Sequence, residues 1–192
     1  MSTVLLIDGE NFKGKVKAVC KETGVDCPAW HTYDFRGLLR KVLSGNAIDR
    51  KIFYFAKIKE HPESRGKSRS LIEEQRLLKT HLEQQGFEVI LSGRVRGHFE
   101  NTRDGKVLVF KEKGVDVQIG VDMVSFACDG QFKEIILASS DSDLQPAIKE
   151  VMNRGVKCIY LGFETQPNKG LSYTTARTIL IRNAETMEYK QD

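Results

Sequence analysis

The sequence predicts an α/β fold: a central, mostly parallel sheet with helices on both faces, and a small β-hairpin inserted beyond the middle of the chain. Three observations predict it. Short apolar runs rich in β-branched residues recur along the chain, with helical periodicities between them. Asp104-Gly105, a favoured two-residue turn, sits inside the stretch 94–110, which reads as a hairpin. The 192 residues suffice for one domain with a real core, so 1–192 is read as a single unit.

Thr3–Asp8 reads as a buried strand, short and apolar, ended by Asp8-Gly9. Residues 34–43 suit a short helix capped by Asp34. Ile52, Phe53, Tyr54, Phe55 and Ala56 mark a second strand over 50–58. The polar, basic segment 61–69 reads as a loop. Over 70–85, Leu71, Leu78 and Leu82 share a helix face and Gly86 stops it. Residues 87–91 form a third strand, followed by the hairpin. The helix expected over 115–127 is apolar on most sides, with Val117, Val121 and Val124 in one stripe and Ile119, Met123 and Phe126 in another, so packing on both sides is expected. A strand follows over 134–139. Leu144, Ala147, Ile148, Val151 and Met152 then fall at helical spacing, with Ser142 or Asp143 as cap, Pro146 in the first turn and Gly155 at the end. Strands over 156–161 and 178–181, with a loop over 164–169 between them, complete the pattern.

Composition narrows the function classes. No apolar run approaches the roughly 20 residues that cross a bilayer, and the N-terminal stretch lacks the pattern of a secretory signal. Cys20, Cys27, Cys128 and Cys158 show no zinc-ligand spacing, nor do His31, His61, His81 and His98. Cys128 and Cys158 lie in apolar segments and read as buried thiols. A reducing, cytoplasmic setting with no membrane partner is the expectation. The net charge of +4 is a weak pointer to a polyanion.

Aspartates carry the chemistry. Asp8 ends the first strand, Asp116 opens the apolar helix, and Asp141 and Asp143 follow the strand over 134–139. In parallel α/β sheets such strand ends converge on the functional edge. Carboxylates about 4 Å apart repel by roughly 4 kcal/mol at an effective dielectric of 20. A helix N-terminus returns only about 0.3–1 kcal/mol. A divalent cation resolves the conflict, and hard oxygen ligands suit Mg²⁺ or Mn²⁺. Asp122 lies about 120° around the helix from Asp116 at 3.6 residues per turn. It therefore reads as a supporting residue or a partner for a basic side chain. Singly, each aspartate also fits an ordinary turn or helix cap.

Ile7-Asp8-Gly9-Glu10-Asn11, then Lys113-Gly114-Val115-Asp116-Val117 with Asp122, then Ser139-Ser140-Asp141-Ser142-Asp143-Leu144-Gln145-Pro146 resemble the three motifs of the NYN family, in the PIN-like nuclease superfamily, and within it the bacterial LabA-like branch. The resemblance runs from Asp8 to Gly162 with the motifs in order. The third motif departs from the usual Ser-Gly-Asp-x-Asp-Phe, with Ser140 for Gly and Leu144 for Phe. The resemblance implies a three-layer α/β/α, Rossmann-like PIN fold and metal-dependent hydrolysis of RNA, endonucleolytic in character. In that reading Asp8, Asp116, Asp141 and Asp143 hold Mg²⁺ or Mn²⁺ directly or through water. Asn11 orients substrate or a water on the metal, and Ser139 and Ser140 hydrogen-bond a carboxylate or a phosphate oxygen.

Basic residues mark where RNA, single-stranded or structured, would lie, with DNA as the second candidate polymer. Arg94, Arg96 and His98 alternate and share a strand face. Arg103, Lys106, Lys111 and Lys113 lie on the partner segment, Arg65, Lys67 and Arg69 in the segment before the 70–85 helix, and Lys13, Lys15 and Lys17 after the first motif. Ordinary solvated surface is the competing reading. Phe99 or Tyr54 would stack on a base if exposed. Trp30 has no decisive role beyond packing the loop after the first helix. Two other functions compete: an RNA-binding or partner-recruiting module with little turnover, and a phosphotransferase with Asp8 as nucleophile. The latter normally needs an aspartate two residues on, where this chain has Glu10. A homodimer is an open assembly state.

Overall fold

The computed structural model describes residues 2–60, 65–102 and 105–190, with the side chains of 65 and 96–112 outside the description. The elements are β1 (Thr3–Asp8), α1 (Gly9–Thr23), α2 (Phe35–Val42), β2 (Arg50–Ala56), α3 (Arg65–Gln84), β3 (Glu88–Ser92), β4 (Arg94–Thr102), β5 (Gly105–Lys113), α4 (Val115–Cys128), β6 (Glu134–Ala138), α5 (Gln145–Asn153), β7 (Lys157–Phe163), α6 (Lys169–Thr174), β8 (Arg177–Ile181) and α7 (Asn183–Glu188). A 3₁₀ turn, Ser142–Leu144, leads into α5.

One six-stranded sheet has the order β3-β2-β1-β6-β7-β8, and its strands are parallel throughout. The chain moves outward from β1 through β2 and β3 on one side and continues through β6, β7 and β8 on the other. The boundary between β1 and β6 is therefore the switch point of the sheet, where ligands bind outside the strand ends. Ile7 faces Ala138 across that boundary, so Asp8 and the loop after Ala138 leave the sheet side by side.

Side-chain alternation divides the core. Leu5 and Ile7 point to the layer that packs Phe12 and Val16 of α1, Leu38 of α2 and Leu82 of α3. Val4 and Leu6 point to the opposite layer, against Ile119 and Met123 of α4 and Ile148 and Val151 of α5. Full burial of one such side chain is worth about 1.5–3 kcal/mol. The two layers of helices and the sheet between them make the α/β architecture expected of the sequence.

The structure departs from the sequence expectations at several places. Helix α3 begins at Arg65, so 65–69 is helical where a loop was expected; Arg and Lys at alternate positions are good helix formers. The hairpin runs on to Lys113 and forms its own two-stranded sheet, with its turn residues outside the description. Helix α4 is not packed on both sides. Its buried stripe is Val115, Ile119, Met123 and Ala127, whereas Val117 is 63% and Val121 54% exposed. Cys128, last in that helix and off the stripe, is exposed, unlike the buried Cys158. The short helices α6 and α7 were not foreseen, because six residues carry too little periodicity to register.

Candidate metal centre

Two strand ends and one helix start build the acidic site. Asp8 caps α1: its Oδ1 accepts from Asn11 N at 3.1 Å, and its Oδ2 accepts from Ser139 Oγ at 3.2 Å. Ser139 also accepts, through the same oxygen, from Asp141 N at 3.2 Å. One buried hydroxyl thus links the end of β1 to the loop after β6. Asp141 caps the 3₁₀ turn, its Oδ1 accepting from Asp143 N at 2.9 Å. This is Asx chemistry that turns the chain sharply and brings two acidic side chains to one spot.

Asp116 arrives from the other direction. The β4–β5 hairpin leaves the sheet and returns through Gly93 and Gly114, with φ of 66° and 87°. A Cβ at Gly93 would lie 2.2 Å from the Lys113 carbonyl oxygen, so the two ends of the hairpin can pass only with glycine there. The chain then enters α4 with Asp116 in the first turn. Around Gly120, α4 packs beside Ala147 and Leu144 of the turn and helix that follow β6. One carboxylate oxygen from each of Asp116, Asp141 and Asp143 lies within 4.8 Å of the others.

Asp8 stands beside this trio, one hydroxyl away. It is 9% exposed, and burial pushes its carboxyl above the usual range. The bonds from Asn11 N and Ser139 oppose that shift, and the charges of Asp141 and Glu10 add to it. The donor set fits a hard divalent cation. Three carboxylate oxygens converge to within 4.8 Å of one another, a little wider than the at most about 4.2 Å between oxygens that share one Mg²⁺-sized ion at about 2.0–2.1 Å, so a small side-chain movement would close them on the ion. An open depression of about 490 Å³, lined by Ser142, Asp143, Gln145, Pro146 and Lys149, adjoins the trio.

The remaining expected residues are distributed around this centre. Asn11 Oδ1 accepts from Ser140 N at 3.0 Å, so the amide braces the acidic loop. Ser140 Oγ bonds Tyr160 OH at 3.0 Å, and its carbonyl accepts from Asn168 Nδ2 at 2.9 Å. Asn168 N in turn donates to Tyr160 OH at 3.1 Å. Tyr160 and Asn168 escaped the sequence reading, since one looks like a strand residue of β7 and the other like part of a polar turn. The serine at 140 is accommodated by this network, and Leu144 in place of Phe is buried in the core.

Asp122 lies apart from the trio. It accepts from Tyr54 OH at 2.9 Å and Gln118 Nε2 at 2.7 Å. Tyr54 is fully buried on the α4 side of β2, so it cannot stack on a base as the sequence allowed. Among the basic candidates, Arg94 and Lys113 face each other in register at the base of the hairpin, both exposed, and Lys113 is three residues before Asp116. The side chains of Arg96, His98, Phe99, Arg103, Lys106 and Lys111 lie outside the described residues, as does that of Arg65. Lys67 and Arg69 are exposed on the first turns of α3, and Arg69 pairs with Glu60 at 3.4 Å. Lys15 Nζ donates to the Gln166 carbonyl at 2.7 Å.

A solved structure, that of a protein of unknown function from Vibrio parahaemolyticus, shares this fold. The TM-score is 0.60 at 19% identity, covering 94% of this chain and 92% of that one. A comparison with curated proteins found no match. No helix among the described residues is long and apolar enough to cross a membrane. The family model described as NYN domain, a nuclease-like fold, matches residues 2–181, which include all four aspartates of the site and its supporting loop. The chain belongs to the NYN domain family.

Proposed function

We propose that this protein is a metal-dependent ribonuclease of the LabA-like, PIN-like type that hydrolyses internal phosphodiester bonds of RNA. The observation that carries the reading is the convergence of Asp116, Asp141 and Asp143 at the switch point of the sheet, beside buried Asp8. Without a cation, the paired carboxylates repel by roughly 4 kcal/mol at 4 Å and an effective dielectric of 20. Asp116, Asp141 and Asp143 would hold Mg²⁺ or Mn²⁺, with Asp8 contributing directly or through water. When bound, the ion supplies Lewis-acid stabilisation of the charge that develops on the phosphate and lowers the pKa of a water.

The chain's own residues do the positioning. Ser139 holds Asp8 and the Asp141 backbone in one arrangement. Asn11, Tyr160 and Asn168 fix the loop that carries Asp141. Arg94 and Lys113 at the hairpin base, and Lys149 beside Asp143, offer positive charge for the RNA backbone. No Ser-His-Asp or Cys-His arrangement was found in the sequence for a covalent route.

The test is an incubation of end-labelled RNA with the protein, with and without Mn²⁺. Internal cleavage that needs the ion is expected, and it falls at least about 100-fold in Asp141→Asn, the scale on which loss of transition-state charge stabilisation is felt. RNA binding persists in that variant. Binding without cleavage by the unaltered chain refutes the enzyme. Turnover of a small phosphomonoester with RNA untouched points instead to a phosphotransferase.

A further inference from the structure

Trp30 is the sole tryptophan of the chain. It stands half-buried in the turn after α1, with Lys13 Nζ 5.5 Å and Lys17 Nζ 5.7 Å from its ring centroid. The two lysines are four residues apart on α1 and so share a face. With Glu10, Phe55 and Gln75 they line a cleft of about 600 Å³. Glu10 is two residues beyond Asp8. Phe55 rests so tightly on Gly9 that a Cβ there would lie 2.1 Å from its ring. The cleft therefore opens at the carboxyl ends of β1 and β2, next to the acidic site and on the α1 side of the sheet.

Its charges are unequal. Glu10 pairs with Lys13 at 2.8 Å, and Glu74, also in the wall, accepts from Ser70 Oγ at 3.2 Å. Lys17 has no carboxylate partner among the described residues. The cleft thus combines an indole, a cation available to an anion, and amide groups of Gln75, which itself braces the end of β2 by donating to the Ala56 carbonyl at 2.8 Å.

We infer that this cleft receives one unpaired nucleobase of the RNA, packed against Trp30, with a flanking phosphate on Lys17; the inference rests on the ribonuclease reading for the position of the scissile phosphate at the acidic trio. Single strands are recognised by splayed bases stacked on aromatic side chains beside a basic track. The volume lies within the roughly 300–1,000 Å³ of small-ligand sites. A base held inside a duplex cannot enter, so the site selects unpaired RNA.

The sole tryptophan provides a direct readout. The full chain, in EDTA to prevent turnover, is titrated with a single-stranded octaribonucleotide of mixed sequence, a blunt RNA duplex, or inorganic phosphate. Saturable quenching of Trp30 emission by the octamer alone is expected. Anisotropy-measured affinity for the octamer falls about tenfold in Trp30→Ala, the size of one base–aromatic stack, and is largely kept in Trp30→Phe. Lys17→Gln lowers the salt slope of binding by about one. Unchanged emission with the octamer bound, equal quenching by the duplex, or no binding at all overturns the inference. Should Trp30→Ala fail to fold, the titration of the unaltered chain and the Lys17→Gln slope decide it. Quenching without Mn²⁺-dependent cleavage removes the nuclease and leaves the cleft; cleavage without quenching removes the cleft and leaves the nuclease.

Discussion

Ser139 has one hydroxyl proton, which goes to Asp8, while its oxygen accepts from Asp141 N. Removing it in Ser139→Ala leaves two partners, the buried Asp8 carboxylate and the half-buried Asp141 N–H, short of a bond. A loss of about 1–3 kcal/mol in unfolding free energy is expected from denaturant titration. Asp8 makes a pH prediction for the metal-free protein. Its folded pKa is raised above the ordinary 3.8, chiefly by burial. The folded state therefore holds more protons than the unfolded one above that value, and stability falls as pH rises through the window. Asp8→Asn lacks the ionisable group, so metal-free Asp8→Asn gains on the wild type from pH 4 to pH 7 in paired thermal melts. A gap that narrows over that range contradicts the assignment. Asp8, Asp116, Asp141 and Asp143 were legible in the sequence because turn and cap chemistry puts aspartate at strand ends and helix starts, and the motif order supported it. Ser139 was legible as a partner for a carboxylate. Tyr160, Asn168 and Trp30 were not, because each acts through residues distant in the chain that only the fold brings near.

Among the elements, α4 separates local pattern from tertiary context. Its apolar residues on several faces predict a helix enclosed on both sides, yet the Val115–Ile119–Met123–Ala127 stripe and the flanking Val124 and Phe126 meet the core, while Val117 and Val121 stay exposed. Periodicity reports which residues are apolar, while the neighbours actually present decide what is covered. Val121→Lys is therefore expected to change stability by no more than about 0.5 kcal/mol, and Ile119→Ala to cost about 2–5 kcal/mol. Urea titrations of the two variants check this. Equal, large losses would mean that both faces are packed. The start of α1 is constrained more tightly. Phe55 occupies the place of a Cβ at Gly9, so Gly9→Ala forces a shift and costs about 1–3 kcal/mol. Strand β1 is legible to the residue because its short apolar run and its Asp-Gly end agree, whereas the start of α3 is not, because a basic, glycine-containing segment suits either a loop or a first turn.

For the whole molecule, the switch point between β1 and β6 organises function. Strand order is not written in any one segment; β1 and β6 are neighbours in the folded sheet, and that pairing lets Asp8 and the loop that carries Asp141 meet. The same fold determines thiol access. Burial pushes the Cys20 thiol up to about 11 and the Cys158 thiol up to about 12. The thiolate is the nucleophile, so mild iodoacetamide treatment of the native chain should label Cys27 and Cys128 and spare Cys20 and Cys158, as peptide mass mapping will show. A cation that binds only the folded state adds about 2.7 kcal/mol at a concentration 100 times its Kd.

The most direct test of the acidic centre is anomalous diffraction from a crystal soaked in Mn²⁺. A single dominant peak is expected, bonded to carboxylate oxygens of Asp116, Asp141 and Asp143, with Asp8 at or one water from the ion. A peak elsewhere, or none at a Mn²⁺ concentration that supports RNA cleavage, would contradict it.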